Sequence, residues 1–157
     1  MRRKSKPRSS ERGFNMALIS EIEAIEAFIK RKYPTATYEK QTVPKQPTPG
    51  LFVVRFLRDG RTLETGMHYR IDRDYQIIHF AKYPEETMPV MSELSAAIYA
   101  EGGLPDVHMR FEGFGFAQPV LTENKIYATV GVLQTTVREM KPQRQYDKIN
   151  HIHPRYV

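Results

Sequence analysis

Apolar residues in this chain follow two rhythms, and the switch between them limits the fold more than any other feature. Leu18, Ile22, Ile25 and Ile29 recur at three- and four-residue steps, the spacing of one helix face. Met91, Leu94 and Ile98 do the same further on. Between and after them the spacing changes to two. LFVVRFL at 51–57 sets Phe52, Val54 and Phe56 against Leu51, Val53 and Leu57, so this strand expects cover on both faces. Met67 to Ala81 alternates through Tyr69, Ile71, Tyr75 and Ile77, and strands are also expected over 107–116 and 125–138. An edge strand is expected over 36–42. The order helix, three strands, helix, two strands predicts an α+β domain: an antiparallel or mixed sheet of about four to five strands carrying two helices.

Local signals place the boundaries. The first helix is expected from Asn15, with Ser20 and Glu23 as a capping box, and must stop before Pro34. VPKQPTPG at 43–50 reads as a loop and Arg58–Asp59–Gly60 as a turn. Where Ile77 and Ile78 stand together the strand enters a two-sided setting, with a bend expected around Asp72–Asp74. The second helix takes Thr87 as its cap, has Pro89 in its first turn, and is closed by Gly102–Gly103. Segment 117–125 reads as a hairpin with an extended tip.

The net charge of +6 is unevenly spread. Residues 1–13 carry +5, through Arg2, Arg3, Lys4, Lys6, Arg8 and Arg12 against Glu11. Residues 141–157 carry +3, so the two ends exceed the total and leave −2 for residues 14–140. The chain therefore divides into a basic flexible arm (1–13), a single domain (14–140) and a C-terminal arm (141–157). Arg2, Arg3, Lys4, Lys6 and Arg8 are the residues suited to phosphate contact, and Met16 offers a second translation start. Tyr146, Ile149, Ile152 and Tyr156 are candidates for ordering on a partner. No run reaches the roughly 18 apolar residues of a membrane span, and the chain reads as cytosolic with no membrane partner.

A search for chemistry returns little. The chain has 0 Cys, which removes disulfides, thiolate metal sites and cysteine nucleophiles. Gly113–Phe114–Gly115 lacks the third glycine and following helix of a phosphate cradle. His151 and His153 with His108 form no closed ligand spacing, and His68, His79 and His108 read as surface or half-buried strand positions. Asp72 and Asp74 read as turn or edge carboxylates. Phe111, Phe114 and Phe116 beside Arg110 read as core before they read as a base-stacking platform. No enzyme, metal or cofactor is expected.

FIKRKYP, TYEKQTVPKQPTPGLFVVRFL, MHYRIDRDYQIIHFA, VMSELSAAIYAEGG, RFEGFGF and NKIYATVGVLQTTV follow one another in an order that resembles the tail terminator, or tail completion, proteins of tailed phages and prophages. The resemblance spans about residues 16–140 and lies in order and texture. It implies a virion protein, assembled in the bacterial host cytoplasm, that forms a homo-oligomeric and commonly hexameric ring. Such a ring caps the head-proximal end of the tail tube, stops its polymerisation, and meets the tail tube protein and the neck or head–tail connector proteins. Either the 117–125 tip or the 43–50 loop of one copy is then expected to meet a sheet edge of the next. The alternative is a DNA-associated head–tail adaptor making non-specific DNA contacts through its basic arms.

Overall fold

The computed structural model describes residues 9–143, with side chains described from Ala17 onward. Two helices lie on one face of a mixed sheet, so the α+β class holds. Helix α1 spans Ser9–Lys32 and buries Ile22, Ile25, Phe28 and Ile29, then ends ahead of Pro34 as expected. It begins earlier than its apolar stripe: residues 9–13, assigned to the arm, are helical backbone. Ser20 and Glu23 therefore sit inside the helix and cap nothing, because the capping spacing is local and nothing upstream breaks the helix.

Seven strands are present among the described residues, against the expected four to five. They are β1 (Thr37–Lys40), β2 (Leu51–Leu63), β3 (His68–Ala81), β4 (Gly103–Leu104), β5 (Met109–Phe116), β6 (Val120–Leu121) and β7 (Tyr127–Met140), with α2 (Pro84–Glu101) between β3 and β4. The surplus strands β4 and β6 have two residues each, too few to show a period. The order is β1-β2-β3-β7-β5-β4, with β6 also on β7. Only β1 runs parallel to its neighbour. Strands β5 and β6 lie in succession along one side of β7, so the expected 117–125 tip shrinks to the turn at 122–125, where Lys125 takes φ 61°.

The expected turn at Arg58–Asp59–Gly60 is strand instead. β2 continues to Leu63 because its polar half pairs in charge with β3, Arg58 opposite Asp74 and Asp59 opposite Arg73. The expected bend at Asp72–Asp74 is also absent, since β3 keeps unbroken register with β7 from His68 to Ala81. The irregularity falls on the partner strand, where the β2 register shifts between Phe56 and Arg58. A second shift between Phe111 and Gly113 lets Phe111 and Phe114, three apart, both pack against the core beneath the helices.

That core joins Ile22, Ile25 and Ile29 of α1 and Met91, Leu94 and Ile98 of α2 to Phe52, Val54, Tyr75, Ile77 and Leu133. Each aliphatic side chain so buried is worth about 1.5–3 kcal/mol. Leu51, Val53, Ile78, Phe80 and Ile126 form a smaller core on the back of the sheet, the two-sided setting expected from Ile77 and Ile78. Loop 41–50 crosses this back face with Val43 packed on it and Pro47 buried. The Asn124 amide donates to the Lys45 carbonyl at 2.9 Å, tying the hairpin turn to the loop. The two segments expected to reach a neighbouring copy are thus tied to each other within one chain, and deleting loop 43–50 would also strip Val43 from the back core.

Tyr83, not Thr87, stands at the N-cap of helix α2 and makes no side-chain capping bond, with Pro84 in the first turn and Pro89 inside the helix. Gly102 closes it at φ 74°, donating its amide to Ile98 O at 3.0 Å. A Cβ on the adjoining Gly103 would strike the Met109 carbonyl oxygen, so glycine is needed where β4 meets β5.

Candidate assembly surfaces

The outer strands of the sheet are too short to cover their neighbours. Strand β1 pairs only with Leu51–Val54 of β2, and β4 only with Met109 and Arg110 of β5. Residues 55–63 of β2 and 112–116 of β5 therefore have no strand on their outer side among the described residues. Exposed backbone of this kind is a template for pairing with another chain.

The two edges are guarded differently. At β2, Phe56 N–H donates to the Gln41 side-chain oxygen at 3.0 Å, and beyond it lie Arg58, Asp59, Gly60 and Arg61. At β5 the guard is one hydroxyl. Phe114 N–H donates to Tyr99 Oη at 3.3 Å, and the Tyr99 hydroxyl faces Phe114 O at 3.5 Å. Tyr99 comes from the last turns of α2 and is 63% exposed. A Cβ on Gly113 would meet Tyr99 Oη in ordinary contact at 3.9 Å and press closer, at 3.1 Å, on Gln134 Oε1. Exposed apolar side chains flank both edges, Leu57 and Leu63 on β2 and Phe116, Val120 and Leu121 toward β5 and β6.

Charge on the polar half of the back face is paired. Arg58 meets Asp74 at 2.9 Å, Arg70 meets Asp72 at 3.3 Å, Arg138 meets Glu64 at 2.8 Å and Arg110 meets Glu112 at 3.5 Å. The Glu64 carboxyl is held below its ordinary range, first by its hydrogen bond with Arg138. Exposed pairs of this kind add little to stability, because water screens them. Asp72 and Asp74 are thus ion-pair partners rather than turn residues. A cleft of about 400 Å³ among Arg70, Arg110 and Arg138 is lined by these same pairs.

On the helix face a cleft of about 670 Å³ opens between Ala17 of α1, His108, Tyr69 and Val137, floored by Glu21 and Arg73. Beneath it, Arg73 is 1% exposed and donates from Nε to Asp59 Oδ1 at 2.9 Å and from Nη1 to Glu21. Tyr75 O–H donates to the other Glu21 oxygen, and burial followed by that bond pushes the Tyr75 pKa far above its ordinary value. The network pins α1 to β3 and, through Asp59, to the strand carrying the open β2 edge.

The three described histidines do not converge. His68 is half-buried, His108 is exposed at φ 53°, and His79 is 5% exposed, a correction to its expected surface or half-buried position. No group of three or more His, Asp or Glu that could hold a metal occurs among the described residues. His79 Nδ1 lies 2.8 Å from Thr87 Oγ1, and the Thr87 hydroxyl donates to Thr129 Oγ1 at 2.9 Å. Thr87 looked like a cap because it is a small hydroxyl residue near a helix start, but it is buried beneath the first turns of α2.

Burial lowers the His79 pKa from 6.5 to about 4. The unfolded chain therefore takes up a proton that the folded one resists. Stability is full above about pH 6.5, falls as pH drops toward about 4 and levels off below, with a total loss of about 3 kcal/mol. Urea midpoints at pH 7.5 and 4.5 should converge by most of that amount in His79→Gln relative to wild type. An unchanged pH dependence would assign the loss to other groups.

Arg2, Arg3, Lys4, Lys6 and Arg8 lie outside the described residues, as do Tyr146, Ile149, Ile152, Tyr156, His151 and His153. Phe114 is buried, Phe111 half-buried and Phe116 40% exposed. Among the described residues no helix is long and apolar enough to cross a membrane. No protein-family model matches the chain, and no curated protein matches it.

Proposed function

We propose that the chain is a structural subunit of a phage or prophage tail, a tail terminator whose copies close into a ring on the head-proximal end of the tail tube. The observation carrying this reading is the pair of unlike open edges on opposite sides of one sheet, 55–63 and 112–116. Two different patches on one subunit join head to tail, and head-to-tail contacts close into rings when the rotation allows. The order of elements, the charge-balanced surface and the guarded edges agree with a subunit that assembles and makes or breaks no covalent bonds. In this reading the ring is a hexamer, stops tube polymerisation, and offers the neck or connector proteins their joining surface within the virion. Electron micrographs of the purified protein should show closed rings; single subunits at high concentration would overturn the assignment.

Truncation after Met140 separates folding from joining. It removes the bond from the Lys141 amide to Met67 O at 2.8 Å, and Pro142 from the cleft rim, but no residue of either core. Loss of one backbone bond costs about 1 kcal/mol, so a folded domain should persist while tail completion in an extract fails. Unimpaired completion would remove the C-terminal segment from the neck contact. The adaptor alternative rests on the basic arm, and salt tests it: duplex binding lost on deleting residues 1–8, without rings, would favour the adaptor.

A further inference from the structure

The main path of the sheet, β2-β3-β7-β5, is antiparallel at every step. Because those strands alternate in direction and are even in number, β2 and β5 run in opposite senses on its two sides. A second copy set beside the first in the same orientation therefore presents its β2 antiparallel to the first copy's β5. Antiparallel pairing is the more stable kind per residue. Charge agrees with this joint. Arg58 on β2, with 69% of its side chain exposed, and Glu112 on β5, with 44%, belong to the same charged back face at opposite edges. Side by side they continue the alternation of charge from one copy into the next.

We propose that residues 112–116 of one copy pair as an antiparallel ladder with residues 55–63 of the next, and that Tyr99 is a stopper that leaves the β5 edge when the neighbour arrives. This joint rests on the ring reading above. Tyr99 suits the part because its two contacts, at 3.3 and 3.5 Å, lie at the long, weak end of hydrogen bonding and its side chain is largely in water. Displacing it exposes little and frees the Phe114 amide and carbonyl together. While in place it occupies the Phe114 amide and carbonyl, from which an unrelated strand could begin to pair. Pairing of β5 with β5 about a two-fold axis would also be antiparallel, but it closes as a dimer and leaves the β2 edge unused.

Hydrogen exchange on the full chain, at concentrations below and above assembly, tests the joint. Amide protection in 112–116 and 55–63 should rise together by about tenfold or more. Tyr99→Phe should assemble at about a fivefold lower concentration, one modest hydrogen bond's worth, and the urea midpoint of the unassembled variant should fall by that same bond. Protection confined to 112–116 would replace the joint with the two-fold dimer. Rings in which neither segment is protected would overturn the joint and leave the ring reading standing, whereas a chain that stays single at every concentration would overturn both. A Tyr99→Phe variant that assembles no more readily than wild type would remove the stopper.

Discussion

Replacing Arg73 with alanine should lower the free energy of unfolding by about 3–5 kcal/mol, read as a shift in urea midpoint. The guanidinium is buried and stays charged: burial alone would lower its pKa, but the Asp59 bond and the Glu21 and Asp59 charges more than offset it. Without Arg73, Glu21, which is 3% exposed in the intact protein, loses its cationic partner and keeps the Tyr75 hydroxyl as a donor. Natural domains have only about 5–15 kcal/mol in hand, so the variant sits near the limit of folding. Glu21→Gln should cost less because an acceptor oxygen survives. The pair Glu21→Leu with Arg73→Met should regain most of the loss, since a buried ion pair is worth little more than well-packed apolar groups. Failure of that recovery would mean the network sets the seating of α1 and does not merely satisfy its own charges.

The second large effect is expected at Gly131. It pairs with Ile77 and Phe116 and faces the helices, where an added Cβ would lie 2.5 Å from Phe114 Cζ and 2.9 Å from Met91 Cε. Overpacking a core usually costs about 1–3 kcal/mol and sometimes more. Gly131→Ala should fall in that range and Gly131→Val at or above its upper end. The offending atoms are the ends of side chains, so Phe114→Leu in the same chain should recover part of the loss, giving a coupling of about 1 kcal/mol or more in a double-mutant cycle. Additive losses would show that the strand shifts and the ring does not. Because Phe114 carries the edge amide that Tyr99 occupies, the same substitution should also disturb assembly.

The helices were legible where a stripe faced the core. Ile22, Ile25 and Ile29, and Met91, Leu94 and Ile98, are buried as their spacing demands. The start of α1 was not, because residues 9–13 have no apolar period and helix geometry there needs none. The apolar half of β2 was read correctly and its polar half was lost, since Arg58–Asp59–Gly60 has turn composition and is kept extended by its ladder and charge pairing with β3. Two bulges were unreadable for the same reason: each depends on the partner strand. Of the candidate surfaces, sheet edges as a class were foreseen, but loop 43–50 and the 117–125 segment proved to hold each other. Tyr99 gave no sign, being one exposed aromatic beside a buried stripe. Its role appears only when α2 lies on the sheet and its hydroxyl reaches the Phe114 backbone.

Strand β3 has a consequence for the order of folding. One side zips onto β2 through a short connection, whereas the other must wait for β7, whose partners run from Ala81 with Tyr127 to His68 with Met140. Closing so long a span is slow compared with closing a hairpin. During synthesis the β2–β3 ribbon therefore emerges with β1 beside only Leu51–Val54 of one flank and the whole β3 flank bare until β7, the last strand, leaves the ribosome, and the charges strung along Arg55 to Arg61 oppose its sticking to other chains meanwhile.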